Sequence, residues 1–352
     1  MYVGCSEKSI LNKGAQFSLS IDDSYALKGI ALLMLLFHHL FYIQNGLYDD
    51  VTLHMGREKI DLVNYIALAC KLCVAIFVFL SGYGLAAKYT CNQKRAFYVR
   101  RYTKLMANYW LIWLVFVPWG FIFGSFSLDS VYGQHAVLKL IVDFMGLARC
   151  FGYDGINPTW WFMSCIILLY LIFPLIAKSA KRLWIWGIIS IAITQLPLSI
   201  INPIRYYLFS FVLGVICARS EKVKAILGIQ LMKYFALPAF LVLFAIRNIL
   251  PYPILVDGVI TVFLAVAAKA LLQKRWLLGA LGFLGKHSMN IFLFHTFIYY
   301  IYFPDLIYWS RNPILIYFTL LAICICISMA IERVKEITGF NKAVDKVIHK
   351  FA

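Results

Sequence analysis

Along this chain, long apolar runs alternate with short polar segments, most of them basic. A membrane-spanning helix needs about 20 predominantly apolar residues, because each residue rises 1.5 Å through a hydrocarbon core about 30 Å thick. Runs of that kind lie near residues 26–46, 62–87, 105–124, 160–177, 183–200, 203–218, 232–249, 253–272, 288–304 and 313–331. The pattern predicts an all-α polytopic membrane protein with about ten transmembrane helices. The segment 136–148 is also apolar, but it is too short to span and is interrupted by Lys139 and Asp143. It is expected to lie at the surface or to re-enter. No internal repeat, heptad run or separate soluble domain breaks the series. One membrane domain is expected over residues 1–352, with a cytoplasmic N-terminal tail over 1–24 and a basic cytoplasmic tail over 333–352.

Lysine and arginine set the orientation, because cytoplasmic loops carry an excess of them. With both termini inside, 25 of the 33 fall in cytoplasmic segments. Seven fall outside (Arg57, Lys59, Lys139, Arg149, Arg205, Arg247 and Arg311), and Lys71 sits within the second run. Every cytoplasmic loop after the N-terminal tail is basic, so one missed helix would invert the pattern from that point on. The longest outside stretch, roughly 125–159, is rich in Gly, Ser and aromatic residues, and a long loop in a compact protein is often functional.

Composition agrees with the periodicity. The chain is 62% apolar and 14% charged, against about 25% charged in a soluble globular protein. Its net charge of +17 sits in short runs between apolar segments, which suits anionic lipid headgroups and argues against a nucleic-acid groove. The nine cysteines form no disulfide framework. Cys70 and Cys73 have the spacing of a CxxC pair, but no second pair or histidine accompanies them, so packing explains them. No metal is expected. Residues 1–20 are polar and mixed, without the apolar core of a signal peptide, so the first helix is expected to direct insertion.

Ionisable groups inside a membrane are costly, which makes each one a functional candidate. Lys28 and His39 are eleven residues apart, about three turns, and share one helix face about 16 Å apart along the axis. A histidine base with a cation nearer the cytoplasm suits an anionic substrate arriving from inside. Hydrogen bonding of His38 and His39 to neighbouring helices accounts for the same residues. Lys71, deep in the second run, can reach a cavity or pair with a polar neighbour.

The first helix, KGIALLMLLFHH, resembles the signature of the membrane acyltransferase-3 family, which has Arg, ten residues and then His in a setting like RGIAxLLVVLFH. Here Lys28 stands in the Arg position, without the bidentate fork of Arg, and His39 in the His position. Four further segments are similar to family motifs in the same order. They are FVFLSGYGLA (77–86), YVRRYTKLMANYW (98–110), TWWFMSCIILLYLIFP (159–174) and SMNIFLFHTFI (288–298). Ile166 occupies a position where many relatives carry Glu, so no carboxylate role is expected there.

The resemblance implies transfer of an acyl group, usually acetyl from cytoplasmic acetyl-CoA, to a hydroxyl of a sugar in a surface or exported glycan. The expected setting is a bacterial plasma membrane, crossed many times. On that reading His39 is a general base or carries the acyl group itself, and Lys28 holds the donor or stabilises negative charge. Arg101, Arg100, Lys104 and Arg95 form a basic cluster fit for CoA phosphates; a topology-setting loop explains the same residues. Tyr170 and Trp161 are candidate sugar platforms, and His295, seven residues beyond Ser288, is a candidate lining residue of the same cavity. That cavity is expected to reach His39 and to open to the cytoplasm beside residues 95–104. The expected partners are acyl-CoA, a carbohydrate acceptor and the lipid bilayer; nothing in the pattern fixes an oligomeric state. Two other classes share part of the pattern. A transporter or flippase for a glycan or small anionic solute has a similar helix count, but usually shows paired repeats or broken helices at matching positions. A membrane sensor or scaffold needs no catalytic residues.

Overall fold

Lipid offers no hydrogen-bond partner to a peptide group, so each crossing segment must satisfy its own backbone. The computed structural model describes residues 16–42, 57–89, 94–179, 182–196, 202–250, 253–272 and 274–352, and among these there is helix but no strand. The helices are α1 (Ile21–Phe41), α2 (Arg57–Ala69), α3 (Leu72–Lys88), α4 (Lys94–Ile122), α5 (Leu128–Tyr132) and α6 (Ala136–Phe144). Then come α7 (Trp161–Lys178), α8 (Leu183–Ile193), α9 (Asn202–Arg205), α10 (Leu208–Arg219), α11 (Glu221–Gly228) and α12 (Gln230–Ile246). Last are α13 (Pro253–Leu271), α14 (Arg275–Thr296), α15 (Pro304–Tyr308), α16 (Pro313–Ile337) and α17 (Phe340–Phe351). Eight helical spans among the described residues are long and apolar enough to cross a membrane, with α2 and α3 together making one. The two shorter apolar helices, α8 and α10, stand where the fifth and sixth runs were expected. The polytopic all-α architecture read from hydropathy is therefore the observed one.

Several boundaries differ from the hydropathy reading, each for a local reason. Helix α1 starts at Ile21 because Ser20 and Asp23 form a reciprocal capping box, which satisfies two otherwise unpaired amides. It ends at Phe41; the rest of the expected first span, 43–46, lies outside the described residues. The second run is broken at Cys70–Lys71, between α2 and α3. The basic stretch before the third run is the first three turns of α4, and the C-terminal tail folds as α17 along that same end of α4. Segment 136–148 holds the short helix α6 (Ala136–Phe144). Helix α6 turns Val137, Leu138 and Ile141 outward and hangs from α4 by Tyr109 Oη to the Asp143 carbonyl (2.7 Å) and Trp110 Nε1 to that of Phe144 (2.9 Å).

Two crossings built on glycine hold the centre. A Cβ on Gly29 would run into the Leu281 carbonyl, and one on Gly285 into the Tyr25 carbonyl. Helices α1 and α14 thus meet backbone to backbone. Helices α3 and α10 do the same through Gly82 against Phe211 and Gly214 against Phe79. Small residues let membrane helices approach closely enough for dispersion to hold them. The first crossing fixes the register between Lys28 and His39 on one helix and Ser288 and His295 on the other.

Candidate active site

Helices α1 and α7 each carry one candidate residue to either end of the bundle. Following the loop charges, the end holding the start of α1 and the C-terminal helix α17 is the inner one. At that end Lys28 of α1, Tyr170 of α7 and Arg101 of α4 line a cavity of about 370 Å³. A smaller chamber of about 140 Å³ continues inward past Lys28, Tyr170, Ile166 and Ser288 and ends on Phe77, Phe162 and Phe292. At the outer end His39 of α1, Trp161 of α7 and Lys71 line a cavity of about 550 Å³. His295, on α14, lies beside this outer cavity.

The expected single cavity, reaching His39 and opening beside residues 95–104, is therefore replaced by two. Eleven residues of helix place His39 about 16 Å from Lys28, and His39 is not among the residues that line the inner chamber. The rings of Phe162 and Phe292 lie 5.2 Å apart, and those of Phe77 and Phe162 6.5 Å apart. Beyond them the Phe292 ring is 6.5 Å from that of His295. Aromatic rings thus separate the chambers.

At the outer end His39 and His295 face each other with ring centroids 5.0 Å apart. His295 is fully buried, and its Nδ1 lies 3.0 Å from the Ile291 carbonyl and 2.9 Å from that of Phe292. Carbonyl oxygens only accept, so Nδ1 carries the hydrogen and Nε2 of the neutral ring is left with its lone pair. Among the described residues that Nε2 has no hydrogen-bond partner, which leaves it able to accept from His39 or from a group entering the cavity. Tyr299 stacks on His295 at 5.8 Å. It belongs to a π-helical stretch, Phe297–Tyr302, that follows α14 directly; such loosened turns recur at functional sites. Asn157 Nδ2 and Trp160 Nε1 both donate to the Leu293 carbonyl, at 3.2 and 2.9 Å, pinning the start of α7 beside that stretch. His38 also lines this cavity; its Nδ1 lies 2.7 Å from the Ala67 carbonyl and its ring stacks on Tyr42.

Several expected roles change. Of the two aromatic candidates, Trp161 and Tyr170, nine residues of helix, about 14 Å, send one to each end. Tyr170 belongs to the inner cavity, where its hydroxyl is 3.3 Å from Ser81 Oγ. His295 backs His39 and is not itself a wall of the cavity. Of the basic cluster, Arg101 and Arg100 line inner cavities. Lys104 instead pairs with Asp345 (3.3 Å), and Arg95 Nε donates to the Phe351 carbonyl (3.2 Å). Both contacts are to the C-terminal helix α17.

The outer cavity also holds groups that spacing did not single out. Arg149 pairs with Asp154 at 3.0 Å on its rim. Behind Lys71, Arg247 binds Asp257 through Nε (2.5 Å) and Nη2 (2.7 Å) and donates to the Leu68 carbonyl (3.1 Å). The long outside loop is clipped by Asp143, whose carboxylate accepts from Tyr132 Oη (2.6 Å) and the Ile156 amide (3.0 Å). Burial pushes the Asp143 carboxyl above its ordinary value, and pushes the Tyr153 phenol up to about 12. No cluster of three or more metal-ligating side chains occurs among the described residues.

Comparison with known proteins decides the class. A family model described as an acyltransferase domain, that of acyltransferase-3, matches residues 20–333. The chain belongs to the acyltransferase-3 family. It is a multi-pass membrane acyltransferase, and the match takes in both ends of the bundle while leaving α17 outside it. Neither the curated proteins nor the solved structures contain a match to this acyltransferase.

Proposed function

We propose that this acyltransferase moves an acetyl group from cytoplasmic acetyl-CoA to a sugar hydroxyl of a surface or exported glycan, across a bacterial cell membrane. The observation that carries the reading is the division of α1, with Lys28 in an inner cavity and His39 in an outer one. Lys28, Arg101 and Arg100 suit the phosphates of CoA, which carry the negative charge a cytoplasmic donor brings. The unbranched pantetheine arm would pass between Phe77, Phe162 and Phe292 to bring its thioester to the outer end. There His39 takes the proton of the acceptor hydroxyl as its oxygen attacks the thioester carbonyl. The C–S bond breaks, an ester forms, and the proton leaves with the CoA sulfur. His295 acts as a positioning residue, since a lone pair on Nε2 fixes which ring nitrogen of His39 carries its hydrogen.

The test follows label from acetyl-labelled acetyl-CoA into extracted glycans, in membranes holding wild type or His39→Ala at equal expression. Label with wild type and none with the variant is expected. Equal label with both would end the assignment of His39. A flippase would give no label with either protein.

A further inference from the structure

Among the described residues, Lys71 is the charged residue of the outer cavity that no counterion answers. It makes no hydrogen bond or ion pair among the described residues, whereas the other cation on the cavity wall, Arg149, is taken by Asp154. The carboxylate whose charge reaches Lys71 is Asp257, and both oxygens of Asp257 are already bonded to Arg247. That pair is neutral as a unit, so the described residues leave the cavity one excess positive charge. The break between α2 and α3 puts Lys71 at the first turn of α3, on the same cavity as His39. Trp161 and Tyr300 supply aromatic walls there, which suit the apolar face of a pyranose ring. An unpaired ammonium at such a wall calls for an anion, because a charge-assisted bond is about twice as strong as a neutral one.

We propose that the acceptor carries a carboxylate or phosphate group, bound by Lys71 while a hydroxyl of the same sugar faces His39. This names the substrate class of the outer cavity and rests on the acyl-transfer reading of His39. The acceptor is an acidic sugar, and Lys71 selects it.

The test uses the purified full chain in nanodiscs with labelled acetyl-CoA and three probes: methyl glucuronide, glucose 1-phosphate and the neutral methyl glucoside. Binding is read by thermal shift and transfer by label on the sugar. Wild type is expected to bind at least one anionic probe about tenfold more tightly than the glucoside, a difference of about 1.4 kcal/mol. The larger of the two anion ratios identifies carboxylate or phosphate. Lys71→Gln is expected to bring the ratio to about one, and Lys71→Glu to turn it toward the glucoside. The shift produced by CoA, which arises at the inner end, reports that each variant is folded; Lys71→Met replaces any variant that lacks it. Equal binding of the three probes by wild type, binding of none, or an anion preference that survives in Lys71→Gln would overturn the assignment. Anion-selective binding without transfer would uphold Lys71 and defeat the acyl-transfer reading. Transfer without charge preference would do the reverse.

Discussion

Replacing Asp257 with alanine removes one half of an ion pair whose side chains are 2% and 1% exposed. Arg247 would keep only the Leu68 carbonyl and the Asn248 side chain as partners. With charge centres about 4 Å apart and an effective dielectric of about 20, the lost attraction is roughly 4 kcal/mol. Truncating one partner of a buried pair costs about 3–5 kcal/mol, because the other charge stays buried. Removing both charges is far less damaging, since neither then needs a counterion. The double variant Arg247→Leu, Asp257→Leu is therefore expected to lie much closer to wild type than Asp257→Ala does. Equilibrium unfolding in mixed micelles, followed by tryptophan fluorescence, measures both. The bidentate pair also joins α13 to the end of α2 through Leu68, so the loss falls at the outer cavity. An Asp257→Ala variant within about 0.5 kcal/mol of wild type, the range of an ordinary surface change, would refute the reasoning. A double variant as unstable as the single one would refute it equally.

CoA at a hundred times its Kd stabilises a folded binder by about 2.7 kcal/mol; in a thermal-shift titration Lys28→Ala and Arg101→Ala are expected to reduce that gain, and Lys104→Ala to leave it, since Lys104 is engaged with Asp345. Gly285→Leu is expected to force α1 away from α14 at a cost of about 1–3 kcal/mol or more, with loss of acyl transfer as His39 leaves His295. Gly187→Ala, on α8 and away from both cavities, where a Cβ meets open space, is the control for both readouts. In the outer loop the Asp143 carboxyl is raised above 3.8 by burial, so the fold favours its protonated form. Its contribution is full below that ordinary value and is lost as pH rises through the folded one. Proteolysis of residues 145–157 is accordingly expected to quicken as pH rises above that ordinary value, and Asp143→Asn to flatten that dependence.

The spans were legible because lipid imposes them: α16 and α7 sit where hydropathy alone puts them. Contacts between spans follow from packing, which hydropathy does not record. Lys104 reads as a loop cation until α17 brings Asp345 to it, a partner far along the chain. Arg247 and Asp257 read as a loop residue and a helix residue, and only the bundle makes them one neutral unit. The pairing of His39 with His295 depends on the glycine crossing of α1 and α14, so neither histidine announces it alone. The division into two ends, however, was present in the spacing. Nine residues between Trp161 and Tyr170, seven between Ser288 and His295, and eleven between Lys28 and His39 already place each pair at different depths.

The most direct test of a donor site inside and a base outside uses sealed membrane vesicles of known sidedness that carry their own glycan. Acetyl-labelled acetyl-CoA is supplied in the medium to inside-out or right-side-out vesicles, with wild type or His39→Ala. Transfer across the bundle gives labelled glycan in the lumen of inside-out vesicles with wild type, and none with His39→Ala. Labelling of equal extent in intact right-side-out vesicles, where only the outer cavity meets the donor, would contradict the two-ended site.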